Sequence, residues 1–357
     1  MEWIVDAHLD LAWNALQWGR DLTQSVPTIR AQEAGTPGKG RAQNTVALPE
    51  MRQGAVALCF ATLMGRSTGV FNPIVDFRSP TQTYGIARGH LAYYHALAYS
   101  GEAVILTDRV GLEAHITAVE QALAGTGAGP SRIGMVIAME SADAILDPAQ
   151  LGDWVAAGVR IIGPAHQGMG RYAGGTGVEA GLTPAGFDLL DQMARHHVIL
   201  DVTHLSDRAF WQALDRFDGT VIASHNNCRA LVAHQRQLDD AQIKALAARG
   251  AVIGAALDVW MLEFGFVKGQ SSNRGIGLAR VAEHIDHVCQ TAGSTRHAAI
   301  GSDLDGGFGR EQAPDDLDTI ADLQRLSPLL QARGYSDSDI EAIMHGNWLR
   351  ILREAWR

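Results

Sequence analysis

Residues 198–225 read VILDVTHLSDRAFWQALDRFDGTVIASH: an apolar run ending in His204, a helical stretch, and a second apolar run ending in His225. Both runs are rich in Val and Ile and apolar on both phases, the pattern of strands buried on both faces of a parallel sheet. Ser206 is placed to cap the connecting helix, which frees His204 from capping and turns its imidazole towards the strand end. The stretch is one βαβ unit with a histidine at each strand's carboxyl end, and right-handed crossover makes the two strands neighbours.

The same grammar extends in both directions. Apolar runs recur at 3–8, 55–63, 134–140, 159–165, 198–204, 220–225, 251–257 and 298–303. Helical patterns alternate with them at 81–99, 111–124, 184–196, 206–215, 239–249, 278–292, 315–333 and 337–356. Eight strand–helix units in roughly 250 residues or more is the arithmetic of a (β/α)8 barrel. The expectation is α/β, a single (β/α)8 barrel domain over residues 1–357, with active-site loops at 19–46 and 260–277. No GxGxxG turn follows the first strand, which weighs against a dinucleotide-binding open sheet. A ninth run, 103–107, falls outside the count and reads as an accessory strand.

Composition narrows the function. With 46% hydrophobic residues the chain folds around a substantial core, and no fixed-period repeat suggests a solenoid. The net charge of −10, with no face rich in Lys or Arg, lacks the footprint of a nucleic-acid binder. Cys59, Cys228 and Cys289 are odd in number and far apart, which fits neither a disulfide framework nor a zinc knuckle, so they read as buried hydrophobes. With no leader-like start and no apolar run of about 20 residues, the expected compartment is the cytoplasm, without a membrane partner.

The ionisable residues fall at the strand ends. His8 and Asp10 end the first run, Glu140 the third, His204 the fifth, His225 the sixth and Asp303 the eighth, while His166 follows the fourth. In a barrel these ends converge on one mouth, so histidines and carboxylates gathered there point to a metal site. His8 and Asp10, two apart on a strand, present both side chains to one ion, although an Asp there also suits a helix cap. Glu140 closes a run so apolar that its charge needs a cation, an Arg or a raised pKa, and its two oxygens can bridge two ions. Asp303 in IGSDLDGG suits a proton shuttle, with Asp305 its rival and a solvent-exposed turn the plain reading. Arg236 stands in a polar loop eleven residues after His225, where it could fork onto a free carboxylate or pair with Asp239 or Asp240. His90, His95, His284, His287, His196 and His197 read as packing or capping residues. His115, His234, His297 and His345 show no partner pattern.

Taken in order, DAHLDL, IAMES, GPAHQGMGRYAGGT, DVTHLSD, IASHNN, QRQLDD and IGSDLDG resemble the membrane (renal) dipeptidase family, binuclear zinc peptidases of the amidohydrolase superfamily. The resemblance covers nearly the whole chain. It implies two Zn2+ per subunit, one held by His8, Asp10 and Glu140, the other by Glu140, His204 and His225, bridged by Glu140 and a hydroxide that attacks the peptide bond. It further implies that His166 contacts the scissile carbonyl, that Arg236 binds the substrate's carboxylate, and that Asp303 handles the amino group and shuttles the proton. Tyr172 is expected to shape the loop after His166. Small dipeptides, including those with a D-residue at the C-terminal position, are the substrates implied, and a homodimer the assembly. The secretion signal, cysteine bridges and lipid anchor of many eukaryotic members are not expected here. Two alternatives stand beside this reading: an amidohydrolase of the same fold acting on N-acyl amino acids, cyclic amides or lactones, and a non-catalytic barrel with structural ions.

Overall fold

A computed structural model describes residues 2–356 apart from 71, 73, 127 and 128. Nine strands run β1 Ile4–Leu9, β2 Val56–Met64, β3 Ala103–Ile105, β4 Ile133–Glu140, β5 Val159–Gly163, β6 Ile199–Asp201, β7 Val221–Ile222, β8 Ile253–Ala255 and β9 Ala298–Ile300. All pairings between them are parallel, in the order β7-β6-β5-β4-β2-β1-β9-β8, and a bridge between Ala223 and Ile253 closes the ring. This is the (β/α)8 barrel. The accessory strand lies where its surplus suggested: β3 pairs with Ile133–Met135 of β4, while β5 pairs with Ile137–Glu140 beyond it.

The barrel interior is filled by residues that include Phe60, Val136, Ala138, Ile161, Ile199, Ile222 and Ala299, which cluster with Trp348 and Leu352 of the C-terminal helix. That helix therefore plugs the end opposite the mouth. Alternation along β4 then carries the lumen-facing phase from Val136 and Ala138 to Glu140, so the same periodicity that packs the core aims the carboxylate at the site. Glycine is required where strand ends approach: a Cβ on Gly301 would lie 1.7 Å from the Ser224 carbonyl oxygen and one on Gly254 2.0 Å from it.

Several strands end earlier than their apolar runs, because side chains replace the ladder at the mouth. Asp201 Oδ1 accepts hydrogen bonds from the Thr203 and Ser224 backbone N–H groups, both at 3.0 Å. Asp6 Oδ1 does the same for His8 at 3.2 Å and Ser302 at 2.8 Å. These two buried carboxylates tie neighbouring strand ends together two residues before His8 and three before His204.

Three local expectations need correction. The segment 19–46 is not wholly irregular: it holds a helix, Val26–Gln32, capped by Ser25 and started by Pro27. The span 315–333 is helical only from residue 320, as a 3₁₀ turn followed by Leu326–Ala332. The span 337–356 is interrupted by a π turn at Ala342–Gly346, which lets His345 Nδ1 donate to the Trp3 carbonyl while its ring stacks on Trp3. Among the described residues, no helix is long and apolar enough to cross a membrane.

The helical histidines pack as expected. His90 Nδ1 accepts from Met64 N–H while Nε2 donates to Gln17, and His284 Nδ1 accepts from Cys228 N–H. Burial pushes His90 down to about 4 and His284 to about 3. Since both lie below the unfolded value of 6.5, the unfolded chain binds protons that the native one refuses. Stability is therefore full above pH 6.5 and falls as the pH drops towards 4, by about 2 kcal/mol per histidine at pH 5. His284→Asn keeps an acceptor for Cys228 and is expected to shrink this acid loss in urea unfolding between pH 7.5 and 5; an unchanged loss would show that His284 does not carry it.

Candidate metal centre and active site

The eight side chains singled out from the sequence, dispersed over three hundred positions, meet at the carboxyl ends of the strands. Glu140 is central. Its Oε1 lies 3.1 Å from His204 Nε2, 3.5 Å from His225 Nε2, 3.7 Å from His8 Nε2 and 3.8 Å from His166 Nε2. His204 and His225 present their Nε2 atoms to each other at 3.1 Å, and Asp303 Oδ1 lies 3.8 Å from His8 Nε2. Three overlapping groups bring ligand atoms within 4.8 Å of one another: His8, Glu140 and His225; Glu140, His166 and His204; His8, Asp10 and Asp303.

The competing readings of these residues find no support in the contacts. Asp10 occupies the N-cap position of helix Leu11–Gln17 but makes no side-chain cap; its Oδ1 accepts from Thr62 Oγ1 instead. No arginine forms a salt bridge with Glu140 among the described residues; its recorded partners are the four imidazoles. The DLDGG turn is folded inward, not exposed: Asp305 is buried, where its carboxylate accepts from Thr45 N–H, Thr45 Oγ1, Val46 N–H and Arg20. That role removes Asp305 as the rival of Asp303 and makes it the clasp that pins the 19–46 loop to the mouth. Arg236 is 4% exposed and pairs with neither Asp239 nor Asp240. One Nη donates to the His225 carbonyl at 2.8 Å; Nη1, buried, has no partner.

Backbone strain marks the same place. Ser141, His204, Asp303 and Asp305 all adopt left-handed conformations, with φ of 71°, 69°, 56° and 60°. Such positions cost of order 1–3 kcal/mol each and persist where the surroundings over-determine them.

The electrostatics state what the site lacks. Burial, then the charges of Asp10 and Asp303, hold Glu140 well above the usual carboxylate range, and Asp303 is raised likewise by burial, Asp10 and Asp258. Burial lifts Asp10 to about 6 against the Thr62 hydrogen bond. Burial, then Arg236, drives His204 well below its ordinary value and His8 to about 3; His225 is depressed by burial, then His8 and Arg236. Three carboxyl groups that the nearby Arg236 charge only partly offsets, with three imidazoles held neutral, are a poor arrangement for stability but the donor set a divalent cation requires. The buried Nε2 of His8, which has no hydrogen-bond partner, supports the same fit. Second contacts agree: His204 Nδ1 meets Thr176 Oγ1 at 3.0 Å and His225 Nδ1 meets Ser224 Oγ at 2.9 Å, which leaves both Nε2 atoms to face inwards.

The mouth opens into a cavity of about 990 Å³ lined by Asp10, Glu140, His166, His204, Arg236 and Asp303. The loop 19–46 contributes Lys39 and Arg41 to its wall, and 260–277 contributes Trp260, Phe266 and Lys268. Tyr172 is buried behind the His166 loop, its hydroxyl donating to the Ile145 carbonyl at 2.6 Å. Three neighbours escaped the sequence reading: Thr62 against Asp10, Arg66 against His166 Nδ1, and His234, which stacks edge-on to Trp260 in the cavity wall. The signal for Arg66 was its place two residues past a strand end; nothing local distinguished it from a surface arginine.

A parallel (β/α)8 barrel with a buried His/Glu/Asp cluster at its mouth defines the class: a metal-dependent hydrolase. The chain belongs to the membrane dipeptidase family (Peptidase family M19), whose model matches residues 2–357. It is 33% identical over 215 residues to an uncharacterized protein from the pqqA 5′ region of Klebsiella pneumoniae, which covers 57% of this chain and 74% of that one. It is 32% identical over 201 residues to dipeptidase tcpJ of Claviceps purpurea, covering 55% of this chain and 45% of that protein, so the match spans about half of that relative's length. Among solved structures, a metallo peptidase from Rhodobacter sphaeroides liganded with a phosphinate mimic of the dipeptide L-Ala-D-Ala superposes with a TM-score of 0.79 at 21% identity, over 99% of both chains. The probable dipeptidase PvdM from Pseudomonas aeruginosa gives 0.78 at 18% identity, over 99% of this chain and 96% of that one. At these identities the two structures establish the fold.

Glu140→Gln is expected to lower the metal content of the purified protein, measured by elemental mass spectrometry, whereas Arg236→Ala leaves it unchanged. Equal metal content in Glu140→Gln and wild type would remove Glu140 from the centre.

Proposed function

We propose that this chain is a metal-dependent dipeptidase that uses two zinc ions per subunit. The observation that carries the reading is the convergence of four imidazoles on one buried carboxylate, with Arg236 and Asp303 lining the same cavity. His8, Asp10 and Glu140 would hold one ion, and Glu140, His204 and His225 the other. Bound there, the ions would polarise the scissile carbonyl and make an attacking water available as hydroxide at neutral pH.

The remaining work falls to the protein's own groups. Arg236, fixed through its bond to the His225 carbonyl, has a free buried Nη1 with which to receive the substrate's terminal carboxylate. His166 stands beside His204 with Nε2 3.8 Å from Glu140 Oε1, where Nε2 can donate to the oxygen of the scissile carbonyl as it gains charge. Asp303 sits beside His8, raised in pKa by burial and neighbouring carboxylates, as suits a group that takes a proton from water and passes it to the leaving amine. The phosphinate dipeptide mimic held by the Rhodobacter sphaeroides relative supports a dipeptide with a D-residue at the C-terminal position as one substrate. Three free, buried thiols support the cytoplasm as the compartment, and a homodimer is the assembly this reading takes.

Assay of the zinc-loaded protein against L,L and L,D dipeptides alongside N-acyl amino acids tests the reaction class: two free amino acids are expected from at least one dipeptide. Arg236→Ala should lower kcat/KM for free dipeptides about 10- to 150-fold, the value of ~1.5–3 kcal/mol for a charge-assisted hydrogen bond. It should change little for substrates without a terminal carboxylate. Equal loss on both kinds of substrate would overturn the assignment of Arg236.

A further inference from the structure

Three imidazoles, His166, His204 and His225, point Nε2 at the same carboxylate oxygen, yet their other nitrogens face different partners. His204 Nδ1 and His225 Nδ1 meet the hydroxyls of Thr176 and Ser224. A hydroxyl can accept, so each ring can carry its proton on Nδ1 and keep the Nε2 lone pair for an ion. His166 Nδ1 instead meets Nη1 of Arg66. A guanidinium has donors only and does not deprotonate in proteins. In that contact Nδ1 has to accept, and the ring proton has to sit on Nε2, which faces Glu140 Oε1 at 3.8 Å.

Arg66 is itself held in place. It follows β2 by two residues, its side chain is 11% exposed, and Nε donates to Asp76 Oδ2 at 2.9 Å. Asp76 is wholly buried and also accepts from Thr68 N–H at 3.0 Å and Thr68 Oγ1 at 2.5 Å. The Arg66 backbone is tied to the same segment by bonds with Val75 and Phe77. The guanidinium therefore arrives at His166 from a braced loop, not from a mobile surface side chain.

We propose that Arg66, braced by Asp76, is a positioning residue that locks His166 in the Nε2–H tautomer, making it a hydrogen-bond donor to the reacting carbonyl oxygen and excluding it from the metal shell. This inference rests on the dipeptidase reading for the identity of the carbonyl, but the tautomer itself does not. It explains why a histidine whose Nε2 lies within ligand distance of Glu140 and His204 is not a third imidazole on the ion they would share. A spare ligand would fill the position the substrate has to occupy.

The test is ring-nitrogen NMR on zinc-loaded protein labelled with ¹⁵N-histidine, with His166→Gln identifying the signals. The expected wild-type result is an unprotonated Nδ1 and a protonated Nε2 at His166, against the reverse pattern at His204 and His225. In Arg66→Met, His166 is expected to lose the fixed pattern, with kcat down about 10- to 100-fold, KM within about threefold and zinc content unchanged. Arg66→Lys, which retains a donor, should recover part of kcat. A protonated Nδ1 at His166 in wild type, or an Arg66→Met enzyme with wild-type kcat, would overturn the proposal. If Arg66→Met fails to fold, the wild-type spectrum alone decides. If wild type cleaves no dipeptide, the functional reading fails while the spectrum still reports on Arg66.

Discussion

A carboxylate buried at the centre of four imidazoles is the constraint around which the mouth of this barrel is organised. Glu140 is 9% exposed and has Asp10 and Asp303 close enough to raise its pKa further, while the histidines around it are too desolvated to carry the compensating charge. Burial thus disfavours the charged form of each of these groups. A divalent cation inverts the balance, since it favours the ionised carboxylates and takes the imidazoles in the neutral form that burial already imposes. The site thus carries a cost in the bare fold that metal binding offsets, and its chemistry and its metal dependence have one physical origin.

Holding that arrangement calls on parts of the chain that never touch it. Asp6 and Asp201 each tie two strand ends together through backbone N–H groups, immediately before His8 and His204. The left-handed conformations of His204 and Asp303 turn the chain out of the sheet at the required residues. Asp305, one phase from Asp303, is spent on clasping the first long loop through Arg20, Thr45 and Val46. Rigid barrel strands set the positions, and a ring of buried hydrogen bonds sets the directions.

Much of this was legible in the chain itself. Strands covered on both faces are apolar on both phases, so eight of them stood out, and the ninth was recognisable as surplus because an eight-strand ring has no place for it. The candidate ligands were legible because each ends such a run, where an ionisable residue has no packing reason to be. Caps such as Ser206 were legible because their effect is local. The helix at Val26–Gln32 was missed although Ser25 and Pro27 mark its start locally, and the π turn at Ala342–Gly346 was missed because tertiary contacts, not propensity, select it. Arg66 and Thr62 were missed because nothing in their own neighbourhoods distinguishes them from ordinary strand-end residues; their partners lie 100 and 52 residues away.

Period, polarity and position along each run, which are properties of neighbouring residues, were enough to point to the barrel, to the ring of ionisable residues at its carboxyl ends and, through the order of seven motifs, to the family. Which of two aspartates faces the reacting groups, whether Arg236 is paired or free, and which nitrogen of each histidine looks inwards were decided only by the closed fold. Those outcomes depend on distances between residues remote in sequence, and a hydrogen-bond partner has no local signature: one aspartate of the same Asp-x-Asp faces the candidate centre and the other clasps a loop solely because the barrel places one against His8 and the other against Arg20.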